Sequence, residues 1–298
     1  MYKLLKLNDF RQFKDMDISL GKRLTVLAGR NSTGKSTILG ILANSGELKK
    51  KDGTTYADGQ FRAEFSEIFH GSKKYDASGS DRIQIDIVDE NDDQIDYRKF
   101  RTAWQNDNGK DRFRVIPLKM LEDGKKTEAK MQIPVIYLGL SRLFPIGEAN
   151  EDKITTKKIK FIDDEQKQWF VEQYTQILSL YDTVTDVSNY SIGETDKKKG
   201  VGIETDKYDY LTNSSGQDNL GQILMAILSF KRLKKQREEW TGGLLLIDEI
   251  DATLHPAAQK RLIDLLTKEA KVNDIQVVVT THSSDLLKHI CNKTVHNN

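Results

Sequence analysis

Residues 24 to 37 read Leu24-Thr25-Val26-Leu27-Ala28-Gly29-Arg30-Asn31-Ser32-Thr33-Gly34-Lys35-Ser36-Thr37. The first five residues have the pattern of a short apolar strand, and Gly29 stops it. From Thr37, the run Ile38-Leu39-Gly40-Ile41-Leu42 continues as an apolar helix would. Between them, Gly29 to Thr37 matches G-x-x-x-x-G-K-[ST]. Glycines let such a loop curl so that its N–H groups point inward at phosphate oxygens, and the following helix adds its positive N-terminal end. In that geometry Lys35 reaches the β and γ phosphates of a nucleotide, and the Ser36 hydroxyl ligates Mg²⁺. The strand before and the helix after supply the context that this motif requires.

Two further apolar runs end in polar residues. Leu244-Leu245-Leu246-Ile247 runs into Asp248-Glu249, and Ile275-Gln276-Val277-Val278-Val279-Thr280 into Thr281-His282. Continuous apolar strands belong to parallel sheets buried on both faces, and such sheets gather their ligand contacts at the carboxyl ends of the strands. Asp248 is therefore expected in the Mg²⁺ shell beside Ser36, Glu249 as the group that polarises an attacking water, and His282 on the γ-phosphate. Phosphoryl transfer needs positioning and charge neutralisation more than covalent chemistry, so these groups suffice for ATP hydrolysis.

The remaining chain fits around this frame. Tyr2 to Leu7 and Met16 to Leu20 alternate as strands, residues 45 to 80 read as irregular, and three alternating runs between Ile83 and Pro117 read as an antiparallel meander. Pro134 to Leu138 is a third continuous apolar run. Asp163 to Tyr181 reads as an amphipathic helix, Asp196 to Asp206 as a charged, exposed segment, and Leu220 to Phe230 as a helix running into basic residues. With a net charge of +1 there is no global pull toward nucleic acid or membrane. No apolar run reaches the roughly 18 residues of a membrane span, and the single cysteine, Cys291, suits a reducing interior. The expected location is the cytoplasm. The basic runs Lys197-Lys198-Lys199 and Lys231 to Arg237 are solvated faces or a DNA contact.

Asn213-Ser214-Ser215-Gly216-Gln217 opens a helical stretch and, read locally, is an N-cap. The order of phosphate loop, this Ser-Gly stretch, Asp248-Glu249, Asp251 and His282 nevertheless resembles an ABC-type ATPase head. The closer resemblance is to the branch with SMC, RecF-like and OLD proteins and the AAA-type ATPases of bacterial phage defence. Leu7-Asn8-Asp9-Phe10-Arg11-Gln12-Phe13, Glu249-Ile250-Asp251-Ala252-Thr253-Leu254-His255-Pro256 and Thr280-Thr281-His282-Ser283 carry it.

That resemblance implies an α/β P-loop NTPase head with a mostly parallel core sheet, an antiparallel β flap and a small helical insert. The implied parts are residues 1–142 as nucleotide-binding lobe, 143–210 as insert and 211–298 as the rest of the same head. It implies a homodimer with ATP sandwiched between heads, in which Ser214, Ser215, Gly216 and Gln217 touch the partner's γ-phosphate, Asp251 faces the partner, and Arg11 reaches nucleotide phosphates. It also implies a nuclease-like effector module or subunit and a role in phage defence or DNA repair. A nucleotide-sensing module with little turnover, signalling through its dimer state, is the alternative. The sequence departs from the pattern at Asn213, where leucine is usual, at Ser215, where glycine is common, and at Tyr137 to Arg142, where a Mg²⁺-ligating glutamine is missing and Ser141 is the substitute offered. Relatives often continue past the point where this chain stops, so the chain is expected to be truncated or to take its effector from another chain. Lys35→Ala is expected to abolish tight Mg-ATP binding, by removing the charge that faces the β and γ phosphates; calorimetric titration reads this directly, and unchanged affinity would refute the phosphate-loop assignment.

Overall fold

Every residue of Gly243–Ile247 is buried, and the side chains alternate between two cores. Leu244 and Leu246 enter one apolar cluster, Leu245 and Ile247 the other. A strand packed on both faces needs no polar side, which is why this run has none. Val278 and its neighbours Val277 and Val279 divide in the same way.

The protein is described here from a computed structural model that covers residues 1–298 except 90, 92, 162, 194–198, 297 and 298. The chain begins with the strands β1 (Tyr2–Leu7), β2 (Met16–Ser19) and β3 (Leu24–Ala28), followed by α1 (Lys35–Ala43) and the single turn α2 (Phe65–Ile68). A meander follows, β4 (Gly79–Val88), β5 (Gln94–Asp107), β6 (Lys110–Met120) and the short β7 (Lys126–Thr127). Then come β8 (Val135–Leu138), β9 (Ile154–Lys158), α3 (Asp164–Leu178), β10 (Val184–Ile192) and β11 (Lys199–Thr205). The last part is α4 (Ser215–Gln236), β12 (Gly243–Ile247), α5 (Pro256–Asn273), β13 (Ile275–Thr281) and α6 (Ser284–His296).

Three sheets result. The central one is parallel, in the order β3-β13-β12-β8, and its register sets Ile247 beside both Val279 and Leu138, and Thr281 beside Ala28. The carboxyl ends of all four strands therefore lie along one edge. An antiparallel sheet in the order β2-β1-β4-β5-β6-β7 forms the flap. Ile38, Leu39, Ile41 and Leu42 of α1 share a core with this flap and with Val135, Leu244, Leu246 and Val278. On the other face, α3, α4 and α5 pack against Leu245, Ile247, Val277 and Val279. The α/β head with parallel core and antiparallel flap is thus as expected.

The segment 143–210 holds the expected helix, α3, and in addition an antiparallel sheet in the order β11-β10-β9. Residues Lys199 to Thr205 correct the reading of that stretch as charged and exposed: they form β11, with Gly200 to Ile203 buried. A Cβ at Gly200 would run into the Tyr190 ring, and one at Gly202 into the Tyr210 Cβ. The aromatic positions of α3 are core, with Phe170 stacked on Tyr174. Lys197 and Lys198 lie outside the described residues. In the other basic run, Lys231 pairs with Glu269 and lies over the Trp169 ring, Arg232 lies over Tyr56, Lys234 pairs with Asp274, and Lys235 with Asp163 and Glu165. The three lysines of the run are thus matched by carboxylates of the same chain. No helix among the described residues is long and apolar enough to cross a membrane.

Gln276, at the start of β13, joins the parallel sheet to the flap. Its buried side chain accepts from the Tyr2 N–H (2.6 Å) and donates to the carbonyls of Tyr2 (2.8 Å) and Gly21 (2.9 Å). Gln276→Leu keeps the volume and leaves these backbone groups unpaired, so it is expected to destabilise the protein by about 2–4 kcal/mol; a urea midpoint equal to that of the wild type would show that the staple contributes nothing.

Candidate active site

The loop that leaves β3 turns on backbone that ordinary residues rarely adopt. Ser32 has φ 62° and Gly34 has φ 88°. A Cβ at Gly34 would lie 2.1 Å from Gln12 Nε2 and 2.3 Å from Phe13 Cζ, so only glycine fits under the turn that follows β1. Gly34 precedes α1, and that helix start carries no side-chain cap and no acidic residue in its first turn. Its N–H groups and the positive end of its dipole are left for an anion. Lys35 Nζ donates to the carbonyls of Gly29 (2.9 Å) and Arg30 (2.8 Å), across the mouth of the loop.

A cavity of about 450 Å³ lies over this loop, lined by Gln12, residues 31 to 37, Asp248, Glu249 and His282. The expected residues thus converge from three strand ends. Asp248 is 3% exposed, and its Oδ1 accepts from the Thr280 hydroxyl (2.6 Å). The same hydroxyl accepts from the Glu249 N–H (2.7 Å). Glu249 stands at φ 49°, an uncommon conformation for a residue with a Cβ and one that concentrates at functional sites. The sequence gives Thr280 no role of its own within the stretch Thr280 to Ser283, because a threonine after three valines reads as one more β-branched strand residue. Gln12, inside the stretch Leu7 to Phe13, likewise has no role that its place in a turn reveals.

A second cavity of about 790 Å³ shares Ser36 and Asp248 with the first and adds Tyr137 and Ser141. Ser141, offered in place of the missing glutamine, therefore lies on the same space as both metal candidates. Ser36 and Asp248 present two hard oxygens, and among the described residues no group of three or more His, Cys, Asp or Glu could hold a metal unaided. This suits Mg²⁺, which usually takes one or two protein oxygens and completes its shell with phosphates and water.

Arg11, Gly29, Arg30 and Asp251 do not line the phosphate-loop cavity, nor does the Ser-Gly stretch. The Arg11 guanidinium pairs with Asp76 (3.0 Å) and lies over the rings of Phe10, Phe65 and Phe69. Arg30 contributes its carbonyl to Lys35 without lining the cavity. Asp251 accepts from the His282 N–H (3.3 Å), tying the two polar strand ends together. The Ser-Gly stretch lines a different cavity of about 370 Å³, with Thr253, Leu254 and His255, which shares no residue with the first. Ser214 is indeed an N-cap: it forms a reciprocal capping box with Gln217, whose amide also donates to Tyr208 Oη (2.8 Å). The Ser215 hydroxyl makes no hydrogen bond among the described residues. Gly216 is close-packed, since a Cβ would lie 2.5 Å from the Thr253 carbonyl. Asn213, the first departure from the signature, is buried and exchanges hydrogen bonds with the backbone of Ile203 in β11, so this position clasps the insert.

A P-loop nucleotide-binding fold with its acidic and histidine groups on one sheet edge defines the class. Segments 1–209 and 118–287 both match the AAA ATPase domain family, and the chain belongs to it. Among solved structures, an SMC head bound to the C-terminal winged-helix domain of ScpA is similar over 97% of this chain and 92% of its own, at 19% identity and TM-score 0.52. The SMC head domain of Thermotoga maritima matches over 97% and 91%, at 14% identity and TM-score 0.47. At such identities the likeness concerns the fold. An uncharacterized protein of Methanocaldococcus jannaschii, MJECL11, is 44% identical over 46 residues, which span 15% of this chain and 40% of that relative.

Thr280→Val keeps the shape and removes the hydroxyl between Asp248 and Glu249. It is expected to cost about 1–3 kcal/mol of stability, and Thr280→Ser to recover most of it; thermal denaturation of the three proteins decides, and equal midpoints for valine and wild type would refute the bridge.

Proposed function

We propose that the chain binds and hydrolyses ATP, and that two copies close face to face around Mg-ATP to gate an effector acting on nucleic acid. The observation that carries this reading is the division of the site. One cavity unites the phosphate loop, Asp248, Glu249 and His282, while Ser214, Gly216 and Gln217 at the start of α4 line a different cavity. In the arrangement that the resemblance implies, such halves meet between two molecules.

In this reading Asn31 to Thr37 cradle the phosphates, Lys35 leaves its two carbonyls for the β and γ oxygens, and Ser36 and Asp248 hold Mg²⁺. When bound, Mg²⁺ supplies charge neutralisation and fixes the phosphate oxygens in place. Glu249 orients and polarises the water, and His282 contacts the γ-phosphate. The partner's Ser-Gly stretch would bring Ser215 and the N-terminus of α4 to the same γ-phosphate. The effector, and a role in phage defence or DNA repair, follow from the resemblance to that branch of ATPases.

Glu249→Gln is expected to keep ATP binding, slow hydrolysis by about 10²–10³-fold, and accumulate ATP-bound dimers. Sedimentation with and without ATP, beside a turnover assay, tests this; normal hydrolysis by the variant would place water activation elsewhere. A wild type that dimerises on ATP without multiple turnover would favour a nucleotide sensor instead. Lys35→Ala and Ser215→Arg should each be inactive alone. Mixed in equal amounts with free exchange, they should regain about a quarter of normal turnover, because half the dimers then carry one intact site; a Ser215→Arg protein that is fully active alone would reduce the stretch to a helix cap.

A further inference from the structure

The turn after β8, Leu140–Leu143, carries a residue that the sequence offers only as the neighbour of a missing glutamine. Arg142 is 3% exposed, and its guanidinium reaches three parts of the fold. It donates to the carbonyls of Leu138 (3.1 Å) and Gly139 (2.9 Å) at the end of β8, to the Glu249 carbonyl (2.9 Å) beyond β12, and to Asn219 Oδ1 (2.8 Å) on α4. Burial lowers its pKa to about 10, with Asp248 the foremost charge opposing that shift, so it remains protonated at neutral pH.

The two ends of this bridge matter. At one end, the left-handed backbone of Glu249 is fixed on both sides, its N–H by Thr280 and its carbonyl by Arg142. At the other, Asn219 passes the contact on: its amide donates to the Ala252 carbonyl (3.0 Å) and to Thr253 Oγ1 (3.3 Å). Gln222, one turn along α4, donates to the Arg142 carbonyl (3.3 Å). The first turns of α4 are thus hydrogen-bonded to the groups that hold Glu249 in its uncommon conformation.

We infer that Arg142, set by Asn219, is a positioning residue that transmits the placement of α4 to the carboxylate of Glu249. This rests on the ATPase reading above and deepens it, since α4 begins at the Ser-Gly stretch proposed to meet the partner's γ-phosphate. A planar fork with several fixed donors can hold the Glu249 carbonyl just past β12 and an amide on α4 together, and a lysine ammonium cannot reproduce that geometry. Arg142 and Asn219 line neither the phosphate-loop cavity nor the cavity at the Ser-Gly stretch, so they act on turnover through Glu249 rather than on binding.

The test compares wild type, Arg142→Lys, Asn219→Ala, Glu249→Gln and the double variant Arg142→Lys/Glu249→Gln. Asn219→Ala keeps the guanidinium and its backbone bonds, and carries the test if Arg142→Lys fails to fold. Each relay variant is expected to bind ATP within about threefold of wild type and to lower kcat by about 30–100-fold, while Arg142→Lys changes the residual rate of Glu249→Gln by less than about twofold. A fall in affinity that parallels the fall in kcat, or losses that multiply in the double variant, overturns the relay in favour of a merely structural role. A wild type without Glu249-dependent turnover overturns the ATPase reading and the relay with it; Glu249-dependent turnover with unimpaired relay variants overturns the relay alone.

Discussion

The central sheet is apolar on both faces, and that constraint arranges everything else in the molecule. β12 and β13 are covered by α1 and the flap on one side and by α4 and α5 on the other, so a charged group within either strand would be buried without water. Polar chemistry is confined to the strand ends, and parallel pairing puts four such ends together. The few polar groups admitted near that edge are tightly matched. Thr280, fully buried, donates to Asp248 and accepts from Glu249, so one hydroxyl fixes the metal candidate and the water-activating candidate relative to each other.

The same constraint explains how much could be read from the residues. The phosphate loop, Asp248, Glu249 and His282 were legible because each follows an apolar run, and a run of that kind ends where the sheet ends. The flap was legible from its alternation between Ile83 and Pro117. What could not be read were side chains whose partners are distant in sequence. Arg142 meets Glu249 across 107 positions and Asn219 across 77, and no local pattern reports either meeting. Gln12 faces the phosphate loop only because β1 and its turn lie beneath Gly34.

The insert was misjudged for a different reason. Alternation in β11 is masked by Gly200 and Gly202, which are placed there by the crowding of Tyr190 and Tyr210 rather than by strand preference, so Lys199 to Thr205 resembles a polar loop. The basic run at the end of α4 shows the converse. Its residues look like a surface for polyanions, yet Glu269, Asp274, Asp163 and Glu165 match its three lysines from α3, α5 and the residues flanking them. Charge density along a helix describes a free face only when the neighbouring elements bring no opposite charge.

Gln276 ties one end of β13 to the flap, and Thr280 ties the other end to Asp248 and Glu249. The strand has seven residues, which at about 3.3 Å each make a stiff strut of roughly 20 Å. Because both ends are hydrogen-bonded, β13 links the flap physically to the phosphate site. On the opposite face of the sheet the link is of another kind, a single side chain, Arg142, between α4 and the Glu249 carbonyl.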